Sequence, residues 1–422
     1  MSTKLIKNAY IVPITSPISK ADLLIENDRI KEIGIIDVEA DEVIDATGKV
    51  VMPGFVNTHT HIAMSLFRSY SDDLELMNWL TKVWKVEDEM TSEDVRLASL
   101  LSEIEMIKSG TTTFNDHYFF EDATAEATKQ TGMRAMLSRV VINDGEAAEK
   151  RLTEAEELYN NWNNSSEGRI KVAMGIHAPY TCPPKTIKDS VALARKYNMP
   201  IHIHYLETKD EIVQIKDRYG KTVTEYLEEL GIFNSHVILA HGVHISDDDI
   251  KVLKNVKGGI SHNPISNQKL GSGIADVKKL RDNNILVGIG TDGQGSTNTL
   301  DMFEEMKSAA YLQKVSYEKA TAISAYDVLK MATIDGAKIL GLENEIGSLE
   351  AGKKADMIII DLNKPHLCPI HDIYSTLVYS ANGADVETVI IDGNFVMKNR
   401  NVLTVDENEV MSKCNEIVKR LF

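Results

Sequence analysis

The 422-residue chain contains no apolar run that reaches the roughly 20 residues a membrane-spanning helix needs. Its first residues, MSTKLIK, lack the apolar core of a secretion signal. Cysteine is scarce, because only Cys182, Cys368 and Cys414 occur and they lie far apart in the chain. An odd number of distant cysteines favours reduced thiols over a disulfide framework. From these absences we expect a cytoplasmic protein without a membrane partner.

Positive charge is also in deficit, since 46 lysines and arginines are outnumbered by 63 aspartates and glutamates and the formal net charge is -17. Such a surface repels nucleic acid and anionic membranes, so we expect neither as a partner. A glycine-rich phosphate loop is missing after the predicted strand that closes at Phe55. This absence disfavours an open, doubly wound sheet, which is the alternative for the fold.

Short β-branched runs separated by Asn, Asp, Pro and Gly occupy both ends of the chain. Glu26-Asn27-Asp28 predicts a hairpin turn near the first end, and Asp392-Gly393 or Gly393-Asn394 predicts another near the second. Neither end is long enough to form a domain alone. We therefore predict one small β-sandwich built from residues 1–53 and 346–422, with a helix over residues 407–421.

Between these ends, residues 54–345 alternate short apolar strands with longer amphipathic segments, which is typical of parallel βαβ units. Helices are predicted over Ser92–Ser109, Pro184–Tyr197 and residues 209–230. Eight strands are predicted to close at Phe55, Phe114, Arg139, Ile176, His204, Ala240, Ser261 and Gly290. Eight strand–helix repeats predict an α/β fold, a (β/α)8 TIM barrel whose active site lies at the carboxyl ends of its strands.

Four of these strand ends carry residues that bind metals in proteins. Side chains two apart on a strand point the same way, so each pair of histidines in the patterns HTH and HIH projects together. The residues are His59 and His61 on the first strand, His202 and His204 on the fifth, His241 on the sixth and Asp292 after the eighth. Each alone could be a core histidine or a turn aspartate, but together they suit Zn²⁺ with an open position for water.

Five stretches carry a resemblance to a known family. They are residues 53–61 (PGFVNTHTH), 109–113 (SGTTT), 202–208 (HIHYLET), 261–267 (SHNPISN) and 290–293 (GTDG). With them the chain resembles, essentially end to end, the amidohydrolase superfamily, in particular its branch of deaminases acting on methylthioadenosine and S-adenosylhomocysteine. The resemblance implies hydrolytic deamination of an adenine nucleoside, namely S-adenosylhomocysteine, 5′-methylthioadenosine or 5′-deoxyadenosine, to the inosyl product and ammonia.

The resemblance also implies roles for the clustered residues. His59, His61, His204 and Asp292 would bind the metal. Glu207 would shuttle protons, His241 would steady the developing alkoxide, and Asp292 would take a proton from water. His202 would be structural or would support a ligand. Two-metal members carry a modified lysine at the end of strand four, where residues 174–180 (MGIHAPY) contain none. We therefore expect one divalent ion per chain, Zn²⁺ in the first place, with Fe²⁺ and Mn²⁺ as alternatives.

For the substrate, the resemblance implies that Trp79 forms an aromatic wall, Glu87 binds the ribose hydroxyls and His177 contacts the base or sugar. Arg139 and Arg151 match positions that bind the homocysteine carboxylate, for which a bidentate guanidinium is well suited. Glu87 could instead be a solvated acid at a helix start. Arg151 could be a solvated surface residue, or could act across a subunit interface, since relatives form homo-oligomers.

The sequence departs from the family pattern at Gly242, where cysteine is expected, and at Thr297, where asparagine is common. Both border the predicted pocket, so they leave the identity of the nucleoside open. The alternative functions are an aminohydrolase of the same branch that acts on guanine, a pyrimidine or a triazine, and a non-catalytic scaffold. The scaffold is disfavoured because every expected ligand and acid is present.

Overall fold

The computed structural model describes residues 2–74 and 76–422. Its strands are β1 (Thr3–Ile11), β2 (Ser19–Glu26), β3 (Arg29–Gly34), β4 (Glu42–Asp45), β5 (Lys49–Pro53), β6 (Phe55–Thr60), β7 (Thr111–Tyr118), β8 (Arg134–Val141), β9 (Ile170–Val172), β10 (Met174–Ile176), β11 (Ile201–Tyr205), β12 (His236–His241), β13 (Lys257–His262), β14 (Val287–Ile289), β15 (Met357–Asp361), β16 (Val386–Ile391), β17 (Asn394–Lys398) and β18 (Asn401–Val402).

The α-helices are α1 (Leu76–Glu87), α2 (Ser92–Ser109), α3 (Glu121–Thr131), α4 (Gly145–Trp162), α5 (Ser165–Gly168), α6 (Pro184–Tyr197), α7 (Lys209–Tyr219), α8 (Val223–Glu229), α9 (Asp247–Leu253), α10 (Pro264–Lys269), α11 (Val277–Asp282), α12 (Gln294–Thr297), α13 (Met302–Ser316), α14 (Ala325–Met331), α15 (Ile334–Leu340), α16 (Ile373–Ser375) and α17 (Glu407–Leu421). Short 3₁₀ turns cover Ile62–Phe67, Ile232–Asn234 and Gly383–Asp385, and a π turn covers Thr376–Ser380.

The central region is a (β/α)8 barrel. Eight parallel strands follow one another in the order β6, β7, β8, β10, β11, β12, β13 and β14, and β9 adds a short pairing to β8. The Asp292 backbone N–H donates to the His59 carbonyl oxygen at 3.0 Å, which connects the end of β14 to β6. A side chain at Gly290 would meet Asn263, Ser261 and the His59 backbone within 3 Å. Only glycine therefore allows this close approach at the seam of the barrel.

Both chain ends meet in one nine-stranded mixed sheet, as expected for the composite β-sandwich. Strand β15 pairs antiparallel with β5, and β1 lies on the other side of β5. Because side chains alternate along β5, Val51 packs in the apolar interior of this sheet. Val50 and Met52 face the other way and join the core of the barrel. Strand β5 therefore contributes side chains to both apolar cores, and in this way it joins the sheet to the barrel.

The predicted helices Ser92–Ser109, Pro184–Tyr197 and 407–421 are confirmed. The continuous helix predicted over residues 209–230 is wrong. Gly220, at φ 70°, ends α7 in the left-handed region, and the Thr222 side chain caps α8 by accepting from the Glu225 backbone N–H. Glycine beyond a helix and threonine at the next N-cap are typical stop and start signals.

The predicted ends of the first two barrel strands, at Phe55 and Phe114, are also wrong. The apolar run before Phe55 is β5 of the end sheet, and the first barrel strand, β6, begins at Phe55. The second barrel strand, β7, continues past Phe114 to Tyr118. The polar residues Asn115 and Asp116 look like a loop in the sequence, yet both are buried. Asn115 donates to the Thr58 carbonyl oxygen at 2.8 Å, and Asp116 accepts from the Ile62 backbone N–H at 2.8 Å. These bonds to neighbouring backbone allow a polar strand end inside the barrel.

Helix α17 packs against α2 across a second apolar cluster that includes Leu97, Cys414 and Ile417. Among the helices that the structure describes, none has the length and apolar composition required to cross a bilayer.

Candidate active site

A cavity of about 660 Å³ opens at the carboxyl ends of the barrel strands. Helix α1 forms one wall and contributes mainly apolar and aromatic side chains, which are Leu76, Trp79, Leu80, Val83 and Trp84. The opposite wall is polar and comes from the ends of the barrel strands, with His61, His117, His177, His204, Glu207, His241 and Asp292. A mostly apolar cavity with a few convergent polar groups is typical of a small-molecule site.

Three histidine nitrogens and one carboxylate oxygen converge at the floor of this cavity. His204 Nε2 lies 3.3 Å from His61 Nε2. Asp292 Oδ1 lies 3.3 Å from His61 Nε2 and 3.5 Å from His59 Nε2. The buried His59 Nε2 has no hydrogen-bond partner among the described residues. The atoms that the sequence analysis assigned to the metal therefore lie together.

The opposite nitrogen of each histidine is engaged elsewhere. His61 Nδ1 donates to the His117 carbonyl oxygen, and His204 Nδ1 donates to the His177 carbonyl oxygen at 2.7 Å. His59 Nδ1 lies 2.8 Å from His202 Nε2, so His202 supports His59, one of the two roles expected for it. Bonds of this kind fix the tautomer and the ring orientation of a metal-binding histidine.

This arrangement fits a cation. A carbonyl oxygen can only accept, so Nδ1 of His61 and of His204 must carry the proton, and both Nε2 atoms are bare acceptors. Burial lowers the pKa of both rings, which keeps them neutral. His61 Nε2 thus lies 3.3 Å from two other acceptors, His204 Nε2 and Asp292 Oδ1, with no proton to share, so these atoms would repel. A divalent metal ion between them removes this repulsion, and the donor set suits one.

Asp292 is held in place from the other side. Its Oδ2 accepts from the hydroxyls of Ser266 at 2.6 Å and Ser296 at 3.0 Å, and its Oδ1 accepts from the Gly293 backbone N–H at 2.8 Å. Burial acts to raise the pKa of Asp292, but the neighbouring His59 and His61 outweigh it and hold the pKa well below its usual range. The carboxylate is therefore ionised.

Glu207 and His241 lie side by side at the edge of this cluster, with Glu207 Oε2 3.9 Å from His241 Nε2. Burial raises the pKa of Glu207. Burial acts to lower the pKa of His241, but the charges of Glu207 and Asp292 outweigh it and raise the pKa. His241 Nδ1 donates to Asn267 Oδ1 at 3.0 Å, which orients the ring. The pair thus offers an acid and a hydrogen-bond donor next to the convergent nitrogens.

The backbone bends sharply where these side chains leave the strands. His241 and Asp292 have φ values of 78° and 63°, and Leu206, immediately before Glu207, has a φ of 49°. Non-glycine residues rarely adopt this left-handed region, and strain of this kind clusters at functional sites.

Trp79, Glu87 and His177 all line the cavity, as expected from the sequence. Glu87 ends α1 and does not start a helix, so the alternative of a solvated acid at a helix start is wrong. Its carboxylate accepts from the Tyr118 hydroxyl, and burial raises its pKa to about 7. His177 Nδ1 is bonded to Thr181 Oγ1 at 2.8 Å, which leaves its Nε2 for the cavity.

Arg139 and Arg151 line an adjoining cleft of about 1470 Å³, which shares Trp84, Glu87 and Phe119 with the cavity. Arg139 Nη2 forms an ion pair with Glu154 at 2.6 Å, and Arg139 Nη1 donates to the Val140 carbonyl oxygen at 2.7 Å. Arg151 Nη1 donates to the Ile142 carbonyl oxygen at 2.9 Å. The two arginines are thus near the cavity, and a protein carboxylate already pairs with one of them.

Sequence reasoning missed four residues of the site, which are His117, Tyr118, Ser266 and Ser296. His117 is buried, lines the cavity, and its Nε2 has no hydrogen-bond partner among the described residues. The two-residue period of a strand continued past Phe114 would have placed His117 beside the ligands. Ser266 lies in the quoted stretch 261–267, but nothing in the sequence identifies it or Ser296 as a partner of Asp292, because a hydroxyl near an aspartate is common in any sequence.

A parallel barrel with histidines and an aspartate converging at its strand ends has the architecture of the metal-dependent barrel enzymes. The profile of the Amidohydrolase family matches residues 50–396. The chain therefore belongs to the amidohydrolase family.

Two curated relatives extend over nearly the whole chain. A 5-methylthioadenosine/S-adenosylhomocysteine deaminase of Desulforudis audaxviator is 49% identical over 423 residues, covering 99% of this chain and 98% of the relative. A 5′-deoxyadenosine deaminase of Methanosarcina mazei is 47% identical over 428 residues, covering 100% and 99%.

A solved structure is similar over the same length. The crystal structure of an adenosine deaminase from Xanthomonas campestris with bound zinc superposes with a TM-score of 0.96 at 32% identity, covering 100% of this chain and 98% of that one. The divalent metal that the convergent nitrogens require is thus present in a similar protein.

Proposed function

We propose that the protein is a metal-dependent hydrolytic deaminase of adenine nucleosides. It converts S-adenosylhomocysteine, 5′-methylthioadenosine or 5′-deoxyadenosine to the inosyl product and ammonia. The observation that carries this proposal is the position of Glu207 and His241 beside the convergent histidines and Asp292, at the floor of a cavity with an aromatic wall. The names of the relatives that match end to end support the same reaction.

His59, His61, His204 and Asp292 would hold one zinc ion, with Fe²⁺ or Mn²⁺ as alternatives. When bound, zinc supplies a Lewis acid that lowers the pKa of water from 15.7 to about 7. A single ion is supported by the residues at the end of the fourth barrel strand. Strand β10 closes at Ile176 and is followed by His177, so no lysine is available there to bridge two ions.

The residues of the chain divide the proton transfers among them. The ionised Asp292 accepts a proton from the attacking water. Glu207, whose pKa is raised by burial, donates a proton to the ring nitrogen beside the carbon that carries the amino group. His241 donates a hydrogen bond to the oxygen that develops on this carbon. The carbon–nitrogen bond then breaks, and Asp292 passes the first water proton to the amino group, which leaves as ammonia. The second water proton, on the hydroxyl, returns to Glu207 as the carbonyl forms.

The walls of the cavity suit a nucleoside. Trp79 and its apolar neighbours on α1 offer a face for the adenine ring, since aromatic rings bury a large area against one another. Glu87 accepts hydrogen bonds from the ribose hydroxyls at the cavity rim, and His177 contacts the base or sugar through Nε2.

Arg139 and Arg151 bind the carboxylate of the homocysteine tail in the adjoining cleft. The cleft begins at Trp84 and Glu87, so a nucleoside held by Glu87 would direct its 5′ substituent towards the arginines. A methylthio or deoxy substrate has no carboxylate and would leave this cleft free. Either Arg139 would leave its ion pair with Glu154 to bind the tail, or Arg151 would bind the tail alone.

We also infer that the protein is cytoplasmic and homo-oligomeric, and that its domains divide at residues 53/54 and 345/346. These inferences rest on the sequence and on the resemblance. Size-exclusion chromatography with light scattering tests the assembly.

A substrate panel tests the proposed function. The zinc-loaded protein is assayed with S-adenosylhomocysteine, 5′-methylthioadenosine, 5′-deoxyadenosine, guanine, cytosine and a chlorinated triazine. We expect ammonia release from the three nucleosides at rates at least tenfold above the others. Faster turnover of guanine, cytosine or the triazine would replace the proposal with another aminohydrolase of the same family. If metal-loaded protein turns over none of these compounds, the result would favour the alternative of a non-catalytic scaffold.

A further inference from the structure

Tyr118 is a cavity residue to which the reaction assigns no part. It is the last residue of β7, and its side chain is only 3% exposed. Its hydroxyl donates to Glu87 Oε1. Tyr118 therefore connects the end of a barrel strand to the last residue of α1, the helix that forms the opposite wall of the cavity.

The position of this hydroxyl is fixed at several points. The Tyr118 backbone N–H donates to Glu121 Oε1 at 3.1 Å, which holds the strand end against the start of α3. The ring centroid lies 6.3 Å from that of His61. Tyr118 thus stands between the convergent histidines on one side and Glu87 on the other, and its phenol can reach the carboxylate without further rearrangement.

The hydrogen bond uses one oxygen of Glu87 and leaves the other to the cavity. A carboxylate has lone pairs for about four hydrogen bonds but accepts only, so it binds ribose hydroxyls best when it is ionised and held in one orientation. Among the described residues, the Tyr118 hydroxyl is the hydrogen-bond partner of the Glu87 carboxylate, so the phenol sets the orientation of that carboxylate.

The same bond favours the charged form of Glu87. Burial raises the pKa of Glu87 to about 7, the bond from Tyr118 opposes this rise, and the charge of Asp88 adds to it. The other charged residues that line the adjoining cleft with Glu87 are Asp88, Glu121, Asp122, Arg139, Lys150, Arg151 and Glu154. Loss of the phenol would therefore protonate more of Glu87 at neutral pH.

We propose that Tyr118 is a positioning residue that orients the Glu87 carboxylate towards the 2′- and 3′-hydroxyls of the ribose, and so sets the preference for ribonucleosides over analogues that lack these hydroxyls. This inference rests on the proposed function, because it assumes that an adenine nucleoside occupies the cavity.

The test compares adenosine with 2′,3′-dideoxyadenosine in Tyr118→Phe, which keeps the ring and removes only the hydroxyl. The KM for adenosine should rise about tenfold, because that is the usual effect of losing one hydrogen bond to a charged group. The kcat should change less than about twofold. The KM for 2′,3′-dideoxyadenosine should stay at its wild-type value. The acidic limb of kcat/KM for adenosine, compared with that for 2′,3′-dideoxyadenosine, should move to higher pH, and Glu87→Gln should remove this difference between the two substrates.

Tyr226→Phe is the matched control, because Tyr226 is a buried tyrosine on α8 that does not line the cavity. It should leave both KM values unchanged. A merely structural role for Tyr118 would lower the melting temperature and raise both KM values together, and that result would overturn the inference. An unchanged KM for adenosine in Tyr118→Phe would also overturn it.

Failure of the proposed function looks different. Titration calorimetry of the wild-type protein with inosine, the product of adenosine deamination, measures binding without turnover. Binding of inosine and turnover of adenosine that are equal in wild type and Tyr118→Phe overturn the role of Tyr118 alone. Wild-type protein that neither binds nor deaminates any adenine nucleoside overturns both proposals.

Discussion

At the scale of single residues, the tautomers of the three convergent histidines explain the chemistry of the cavity floor. Nδ1 of His61 and Nδ1 of His204 each donate a hydrogen bond to a backbone carbonyl oxygen, and His59 Nδ1 contacts His202. All three therefore present Nε2 to the same point. The HTH and HIH patterns predicted the rings from spacing alone. Their hydrogen-bond partners lie on other strands or, for His177, just after one, so local spacing could not identify them.

The proton-transfer role of Glu207 can be tested with a single substitution. Glu207→Gln keeps the shape of the side chain but removes the titratable proton. We expect full metal content and a fall in turnover of about 10²-fold or more, because general acid–base help is lost. Steady-state kinetics with 5′-deoxyadenosine and elemental analysis of the same sample measure both quantities.

Glu228→Gln provides the control, because Glu228 is an exposed glutamate on the neighbouring helix α8. Its turnover should match that of the wild type. Near-normal turnover in Glu207→Gln would assign the proton transfer to another acid.

At the scale of elements, strand ends and helix ends determine what the cavity contains. The sequence predicted the number of barrel strands, but it ended the first at Phe55, where β6 begins, and the second at Phe114. Asn115 and Asp116 are polar, and only tertiary hydrogen bonds to Thr58 and Ile62 make them compatible with a buried strand. The same four-residue error hid His117 and Tyr118. Glu87 was identified by resemblance, whereas its bond to Tyr118 required the structure.

Strand β8 and helix α4 together form the cleft that would bind a charged substrate tail, since β8 carries Arg139 and α4 carries Arg151 and Glu154. Arg139→Ala or Arg151→Ala should lower kcat/KM for S-adenosylhomocysteine about 10–100-fold, the usual effect of losing a hydrogen bond to a charged group. Both variants should spare 5′-deoxyadenosine. Parallel kinetics on the two substrates measure the difference.

Glu154→Gln sharpens this comparison. Glu154 competes for Arg139 through the ion pair, so neutralising it should leave kcat/KM for S-adenosylhomocysteine unchanged or higher. Equal losses on both substrates in the arginine variants would indicate misfolding or metal loss, and would count against recognition of the tail.

At the scale of the whole molecule, the sheet built from both chain ends is fastened to the barrel by a buried ion cluster. Arg134, at the start of β8, donates to both oxygens of Asp356, at 2.8 and 3.2 Å, and to Asp392 Oδ1 at 2.8 Å. All three residues are buried. The hairpins were predictable from turn residues, including Asp392-Gly393. Nothing in the sequence links Arg134 to aspartates more than two hundred residues away.

Arg134→Ala should destabilise the protein by about 3–5 kcal/mol, because it leaves the buried carboxylate of Asp356 without its cationic partner. Asp392 would keep its ion pairs with Lys354 and Arg169. Thermal and urea denaturation measure this loss. Lys251→Ala removes the exposed Lys251–Asp248 pair and should leave the stability nearly unchanged. A loss of the same small size in Arg134→Ala would show that the cluster contributes little to joining the two parts.

The most direct test of the account is the product formed from 5′-deoxyadenosine by zinc-loaded protein in water labelled with oxygen-18. Mass spectrometry should find the hypoxanthine nucleoside with one labelled oxygen on the base and an intact glycosidic bond. Ammonia should appear in equal amount, and removal of zinc with a chelator should abolish both products. Release of the free base, an unlabelled product, or undiminished turnover after the metal is removed would contradict a metal-dependent hydrolytic deaminase.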